Sequence, residues 1–335
     1  MDKNSTHNQE FKEELSSLTQ KIPRRYAAIL TEFCLSYRGA ARSLDEADTN
    51  LVFFLKLLRK QFETPYTFEP YHKKVRTPID YYRFGIEFLR PIVDLPHSKI
   101  LGLEHLETIR GALKKKENVI LLANHQIEAD PQAIAILLET AAPEIADSII
   151  YVAGERVVTD PLAIPFSMGC DLLCIYSKRY IDHPPEEKAD KQLHNKKTME
   201  LMSRLLVEGG KIIYIAPSGG RDRRGTEGHI EVAPFDPSSI EMCHLMAKRA
   251  KTTTHFIPFA LSTYDLLPPP ETIQRELGET RNLTRTPIYI AFEKSFDMEH
   301  FPGSDLKDKE ERRKARAHAI WAIVNKNHSR LLKTV

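Results

Sequence analysis

The chain has 335 residues, 41% apolar and 28% charged, with 48 lysines and arginines against 46 acids and a net charge of +2. That length suits two ordinary domains or one large α/β domain with an appendage, and the apolar fraction is enough for a real core. Near-neutrality argues against a general nucleic-acid binder, and no apolar run approaches the roughly 18–20 residues needed to cross a bilayer.

The N-terminal stretch MDKNSTHNQEFKEEL is polar and acidic. It has neither the apolar run of a signal peptide nor the arginine-rich pattern of a transit peptide, so the expectation is a soluble, cytoplasmic protein. The first 95 or so residues read mainly as helices. FKEELSSLTQ is polar and amphipathic, and RRYAAILTEFCLSYRGAARS places Ala28, Leu30, Phe33, Cys34 and Tyr37 close to one helical stripe. TNLVFFLKLLRKQF is apolar on nearly all sides, as for the central helix of a small bundle. IDYYRFGIEFLRPIV predicts a further helix interrupted near Pro91.

From about residue 100 the pattern alternates. NVILLANH reads as a buried strand, PQAIAILLETAAPEI as a helix, and SIIYVAGE, DLLCIYS and KIIYIAPS as short strands. HNKKTMELMSRLLVEGG is a helix stopped by Gly209 and Gly210. SSIEMCHLMAKRAK is helical, THFIPFALS and TPIYIAFE are strands, and the charged tail from KDKEERRK reads as one long helix. The expected fold is α/β: a mixed sheet flanked by helices, with a small N-terminal helical bundle. Residues 1–80 would form the helical domain and residues 81–335 the α/β domain. The four cysteines, Cys34, Cys170, Cys174 and Cys243, lack the companions of a zinc site and read as structural thiols.

Two strand ends carry chemistry. In NVILLANHQIEADPQ a buried strand runs into His125, with Asp130 five positions on. With 13 histidines in the chain, and aspartate at roughly one residue in twenty, chance supplies about one His-x4-Asp match. The chain has two, the second being His300 with Asp305 in HFPGSD. That one has no strand leading in and reads as an exposed turn with a helix cap. The first lies between strand and helix, the edge where open α/β sheets bind ligands. Asp130-Pro131 also reads as an N-cap followed by proline at the first helical position, so Asp130 is a cap, a partner for His125, or both. Five residues of helix would turn the two side chains about 140° apart, so they meet only if HQIEAD is a turn. Glu128 within it reads as a solvent-exposed or supporting acid.

In IYIAPSGGRDRRGT, Gly219 and Gly220 allow a tight turn, and Arg221 and Arg223 alternate around Asp222. Two guanidiniums on one side suit a phosphate; a solvated basic loop is the alternative. The stretch is no P-loop, and Ser218 lacks the G-x-S-x-G elbow of a nucleophile. SKRY, with Lys178 and Arg179, is a third strand end bearing cations.

ILLANHQIEADP, VAGERVVTDPLAIPFSMG, IYIAPSGGRDR and HFIPFALSTYDLLPPP, with TPIDYYRFGIEFLRPIVD upstream, resemble the sequence blocks of the soluble, plastid-type glycerol-3-phosphate 1-O-acyltransferases. The resemblance runs from about residue 60 to residue 270. It implies transfer of a fatty acyl group from acyl carrier protein, or from acyl-CoA, to the sn-1 hydroxyl of glycerol 3-phosphate. It also implies a helical domain packed on an α/β domain, and the plastid stroma as location if a transit peptide precedes this sequence. By position, His125 is the general base and Asp130 its partner. Arg221 and Arg223, with Lys178 and Arg179, would hold the phosphate; Tyr180 stands where the family carries histidine. Gly219 and Gly220 are the oxyanion-donor candidates. The chemistry requires no metal or redox cofactor. A carrier-protein docking surface could include Lys73, Lys74 and Arg76, which read equally as a solubilising face; transient membrane-surface contact is left open, and no nucleic-acid partner is expected. The rivals are an acyltransferase acting on 1-acylglycerol 3-phosphate and a non-catalytic carrier-protein binding module.

Overall fold

The computed structural model describes residues 3–177, 181–270 and 278–333. Its strands are β1 (Tyr71–His72), β2 (Lys99–Leu101), β3 (Asn118–Ala123), β4 (Ile149–Gly154), β5 (Asp171–Ile175), β6 (Ile212–Ile215), β7 (Arg223–Arg224), β8 (Ile230–Glu231), β9 (Thr254–Ser262) and β10 (Tyr289–Phe292). Eight form one sheet in the order β1-β5-β4-β6-β3-β9-β10-β2, and β7 and β8 form a separate hairpin. The central strands β5, β4, β6, β3 and β9 are mutually parallel. β1 runs antiparallel to β5 and β10 antiparallel to β9, while β2 is parallel to β10. The sheet is therefore mixed, as the sequence pattern predicts.

Every residue of β3 is buried, because helices cover both faces of the sheet and a two-sided strand reads as a continuous apolar run. Val119, Leu121 and Ala123 join the core shared with the N-terminal helices. Ile120 and Leu122 join the opposite core, with Met202, Ile240, Ile320 and Val324. The helices Arg24–Ala40 and Leu44–Glu63 reach the first core through packed aromatic pairs. Tyr37 and Phe88 lie 4.4 Å apart and Phe54 and Phe166 5.6 Å apart, pairs each worth about 0.5–1.5 kcal/mol beyond area burial. The Tyr37 hydroxyl donates to the Phe88 carbonyl at 2.6 Å, so its polar end is satisfied inside that core. All four cysteines are free and buried, and burial pushes the thiols of Cys170, Cys174 and Cys243 up to about 12.

Some elements differ from the sequence pattern. PQAIAILLETAAPEI is two helices, Asp130–Leu138 and Pro143–Ser148, because Pro143 cannot continue the first and opens the second. The helix Glu104–Lys114 and the short strands β1, β2, β7 and β8 are additional; runs of two or three residues are too short for a period to show. No described helix is long and apolar enough to cross a membrane.

The topology decides where a ligand can sit. After β3 the chain crosses to β4 through the helix Asp130–Leu138 on the first face, whereas after β6 it crosses to β9 through Pro237–Ala250 on the second. β3 and β6 are neighbours, so their outgoing loops part to opposite faces and leave a crevice at their carboxyl ends. NHQIEAD and PSGGRDR are those two loops.

Candidate active site

Residues 124–127 leave β3 as irregular backbone and residues 128–129 form a turn before the helix Asp130–Leu138. The segment is not helical, and His125 and Asp130 meet: His125 Nδ1 lies 2.8 Å from Asp130 Oδ2. Asp130 is buried, while the His125 side chain is 32% exposed. Asp130 is not the helix N-cap. Ala129 holds that position without a side-chain bond, and Asp130 instead accepts from the amides of Gln126 at 2.9 Å and Ile127 at 3.3 Å. The carboxylate folds back on its own turn, which is what brings it to the imidazole. Its other oxygen accepts the Thr263 hydroxyl at 2.6 Å.

The loop after β6 is bonded directly to this turn. The Asp222 amide donates to the His125 carbonyl at 2.7 Å. The buried Asp222 carboxylate accepts from Ala233 N at 2.9 Å, Asn124 Nδ2 at 2.8 Å and Gln126 Nε2 at 3.2 Å. Burial pushes Asp222 up to about 6, and those three donors and the nearby His125 charge only partly offset it. Asn124 also clasps Leu261 of β9 at both its amide and its carbonyl. Gln126 accepts the amides of Thr263 and Tyr264 at 2.6 and 2.9 Å. The loops after β3, β6 and β9 thus form one buried polar lattice beneath His125.

Beside it lies a cluster of ion pairs. Arg221 Nη2 contacts both oxygens of Glu279 at 2.7 Å, and its Nη1 is 3.9 Å from Glu128. Arg156, just past β4, bonds the same Glu279 carboxylate. Arg281 bonds Glu128 at 2.9 Å and Asp160 at 2.9 Å. Of the two readings the sequence leaves for Glu128, the structure favours the supporting acid over the solvent-exposed one. Burial by itself raises its pKa, but Arg281 and then Arg221 hold it below the usual carboxylate range. Of the two motif arginines, Arg221 turns into this cluster, whereas Arg223 opens the β7–β8 hairpin, with Nη1 donating to the Asp222 carbonyl at 3.1 Å.

Gly219 has φ +64° and its amide donates to Ala216 O at 3.1 Å, closing the turn. The Gly220 amide has no acceptor among the described residues. Ser218 Oγ donates to the Gly220 carbonyl at 2.9 Å. Lys178, Arg179 and Tyr180 lie outside the described residues. Lys74 and Arg76 face acids: Lys74 meets Asp171 at 3.2 Å and Asp147 at 3.5 Å, and Arg76 meets Asp80 at 3.0 Å and also Asp147. Of that trio only Lys73 is exposed, so the patch is largely neutralised and is no open basic surface.

Sequence reasoning left out Asn124, Gln126, Arg156, Thr263, Glu279 and Arg281. For Asp222 a signal existed: if Arg221 and Arg223 face outward in extended chain, the residue between them faces in. Asn124 and Gln126 flank His125 in the same loop, whereas Arg156, Thr263, Glu279 and Arg281 gather from distant segments, with no local spacing to mark them.

A family model described as acyltransferase matches residues 99–262, the span from β2 to the end of β9. The chain is 35% identical over 317 residues to a chloroplastic glycerol-3-phosphate acyltransferase of Arabidopsis thaliana, covering 92% of this chain and 68% of that protein. The corresponding Spinacia oleracea protein is 35% identical over 316 residues, 92% of this chain and 67% of that one. One from Cucurbita moschata is 36% identical over 321 residues, 94% and 69%. A solved 1-acyl-sn-glycerophosphate acyltransferase from Thermotoga maritima covers 93% of this chain and 96% of its own at 15% identity, but the TM-score of 0.39 is too low to bear on fold or function.

Proposed function

The chain belongs to the family of chloroplastic glycerol-3-phosphate acyltransferases, and we propose that it transfers a fatty acyl group to the sn-1 hydroxyl of glycerol 3-phosphate, from acyl carrier protein or acyl-CoA. The observation that carries the site assignment is the His125–Asp130 contact at the carboxyl edge of the parallel strands. With the ring proton on Nδ1 and directed at Asp130, Nε2 is left as an acceptor on a partly exposed ring. It takes the proton of the acceptor hydroxyl as that oxygen attacks the thioester carbonyl. Asp130 stabilises the imidazolium, which then protonates the departing thiolate. No covalent acyl-enzyme is needed, because the attacking group is the acceptor itself.

For the substrate phosphate we propose Arg221 and Arg223, on the loop bonded to this dyad, and, from the family resemblance alone, Lys178 and Arg179, which lie outside the described residues. Glu279 fixes one end of Arg221 and leaves its other donors to bind an oxyanion. For the tetrahedral oxyanion, Gly220 is preferred to Gly219, whose amide is already engaged. Arg221→Ala should raise the Michaelis constant for glycerol 3-phosphate by about tenfold to a hundredfold, with a smaller change in turnover; an unchanged saturation curve removes Arg221 from the phosphate site.

The deciding experiment is an acyl-transfer assay with purified protein, glycerol 3-phosphate or 1-acylglycerol 3-phosphate as acceptor, and a panel of acyl-carrier-protein and acyl-CoA donors. The expected product is 1-acylglycerol 3-phosphate. Transfer confined to the already acylated acceptor, or none to either, overturns the proposal.

A further inference from the structure

The dyad rests on a residue 198 positions further along the chain than Asp130, on the last helix, Lys309–Leu332. His328 is buried, and its Nε2 is 3.1 Å from Gln126 Nε2. An amide nitrogen only donates, so that His328 nitrogen is the acceptor and bears no proton. Burial pushes the pKa of His328 down to about 4, so the ring is neutral at neutral pH and has one nitrogen free to accept. Gln126 then has all four of its hydrogen-bonding positions filled. Its two N–H groups go to His328 and Asp222, and its carbonyl takes the amides of Thr263 and Tyr264. Flipped end for end, the buried amide would set its nitrogen against the Thr263 and Tyr264 amides and its oxygen against the Asp222 carboxylate and the His328 acceptor, so His328 is one of four partners that together hold Gln126 in this orientation.

The consequence passes to the chemistry through Thr263. With its amide held by Gln126, Thr263 directs its hydroxyl to Asp130 Oδ1 at 2.6 Å. Asp130 is left with Oδ2 for His125 and for the amides of Gln126 and Ile127. Both carboxylate oxygens are thereby fixed, and so is the plane in which the imidazole sits.

We propose that Thr263 and His328 are positioning residues of the acyl transfer: His328, together with Asp222, holds the amide nitrogen of Gln126, Gln126 seats Thr263, and Thr263 locks Asp130 in the plane that holds His125 with its proton on Nδ1. The inference rests on the function proposed above, and it assigns the last helix a part in setting the dyad.

Two pairs of variants test it. Thr263→Val removes the hydroxyl at nearly constant shape and Thr263→Ser keeps it; His328→Leu removes the acceptor and His328→Gln supplies one. Thr263→Val and His328→Leu should lower kcat by about tenfold to a hundredfold, with KM for glycerol 3-phosphate within about twofold. The Ser and Gln variants should recover most of that loss, which a general loss of packing would not restore. Nitrogen NMR of the His125 ring reads the tautomer without any turnover, so it separates this inference from the functional reading. Wild type and the rescuing variants should carry the proton on Nδ1, and the Val and Leu variants a mixture. A proton on Nδ1 in all five proteins, or full kcat in Thr263→Val, overturns the proposal. Absent turnover in wild type overturns only the function on which it rests.

Discussion

Two His-x4-Asp sequences in one chain meet different fates. His125 lies on Asp130, and the pair is tied by hydrogen bonds to the loops after β6 and β9. His300 is 86% exposed and turns to Asp297, three residues back, at 2.9 Å, while Asp305 is exposed. The helix that follows is capped by Asp308, not Asp305. The spacing is the same, so spacing does not make a dyad. What differs is that the first pair leaves a buried strand and enters a lattice that fills every acceptor of the carboxylate. The second lies in a loop where the imidazole takes whichever carboxylate is nearest.

The sharpest way to break the contrast is to remove the two imidazoles in turn. His125→Ala should lower acyl transfer by about three to four orders of magnitude while glycerol 3-phosphate binding, measured by calorimetry, stays nearly intact. Substantial residual turnover would end the general-base assignment. Asp130→Asn comes next. It keeps the shape but presents a donor where amides and the imidazole already donate, so about a hundredfold or greater loss of kcat is expected; a variant within about threefold of wild type would mean that Asp130 serves the fold alone.

A smaller effect, on stability, probes the lattice itself. Asp222 has its folded-state value raised to about 6 from an ordinary 3.8. The stability it contributes is therefore full below about pH 4 and lost as pH rises through 6, a swing of about 3 kcal/mol. His328 has the opposite sign: lowered by burial to about 4, it contributes stability above its unfolded value that is lost as pH falls. The two trends oppose one another between pH 4 and 6.5. Asp222→Asn should leave the His328 trend uncompensated, so urea midpoints should fall more steeply on acidification than in wild type. Parallel profiles from pH 7 to pH 4 would refute a titrating Asp222. The smallest expected effect closes the comparison: His300→Ala should leave turnover unchanged within about twofold and stability within about 0.5 kcal/mol.

Much of the fold was legible because its signals are local. The two-sided burial of β3 shows as an unbroken apolar run, and the helix Lys188–Glu208 ends at the glycines that the sequence marks. The turn between His125 and Asp130 also followed from helix geometry, since only a non-helical segment lets those side chains meet. Asp130 itself was half legible. Asp-Pro before a helix is a strong cap signal, yet the carboxylate turns back to Gln126 and Ile127 because four donors converge there. Glu128 was also half legible, read as either an exposed or a supporting acid, because the residue that decides between them, Arg281, lies more than 150 positions away.

The sequence by itself determined the alternating elements, the two strand-end loops and the family resemblance, all of which depend on residues near one another in the chain. Only the tertiary structure decided which histidine acquires a held carboxylate, which acid meets which arginine, and that Thr263 and His328 stand behind the dyad. Those outcomes depend on the sheet order, which places β3 between β6 and β9 and so brings residues 125, 222 and 263 within hydrogen-bonding reach. A buried polar group must find its partners in whatever the fold sets beside it, and no spacing along the chain records that.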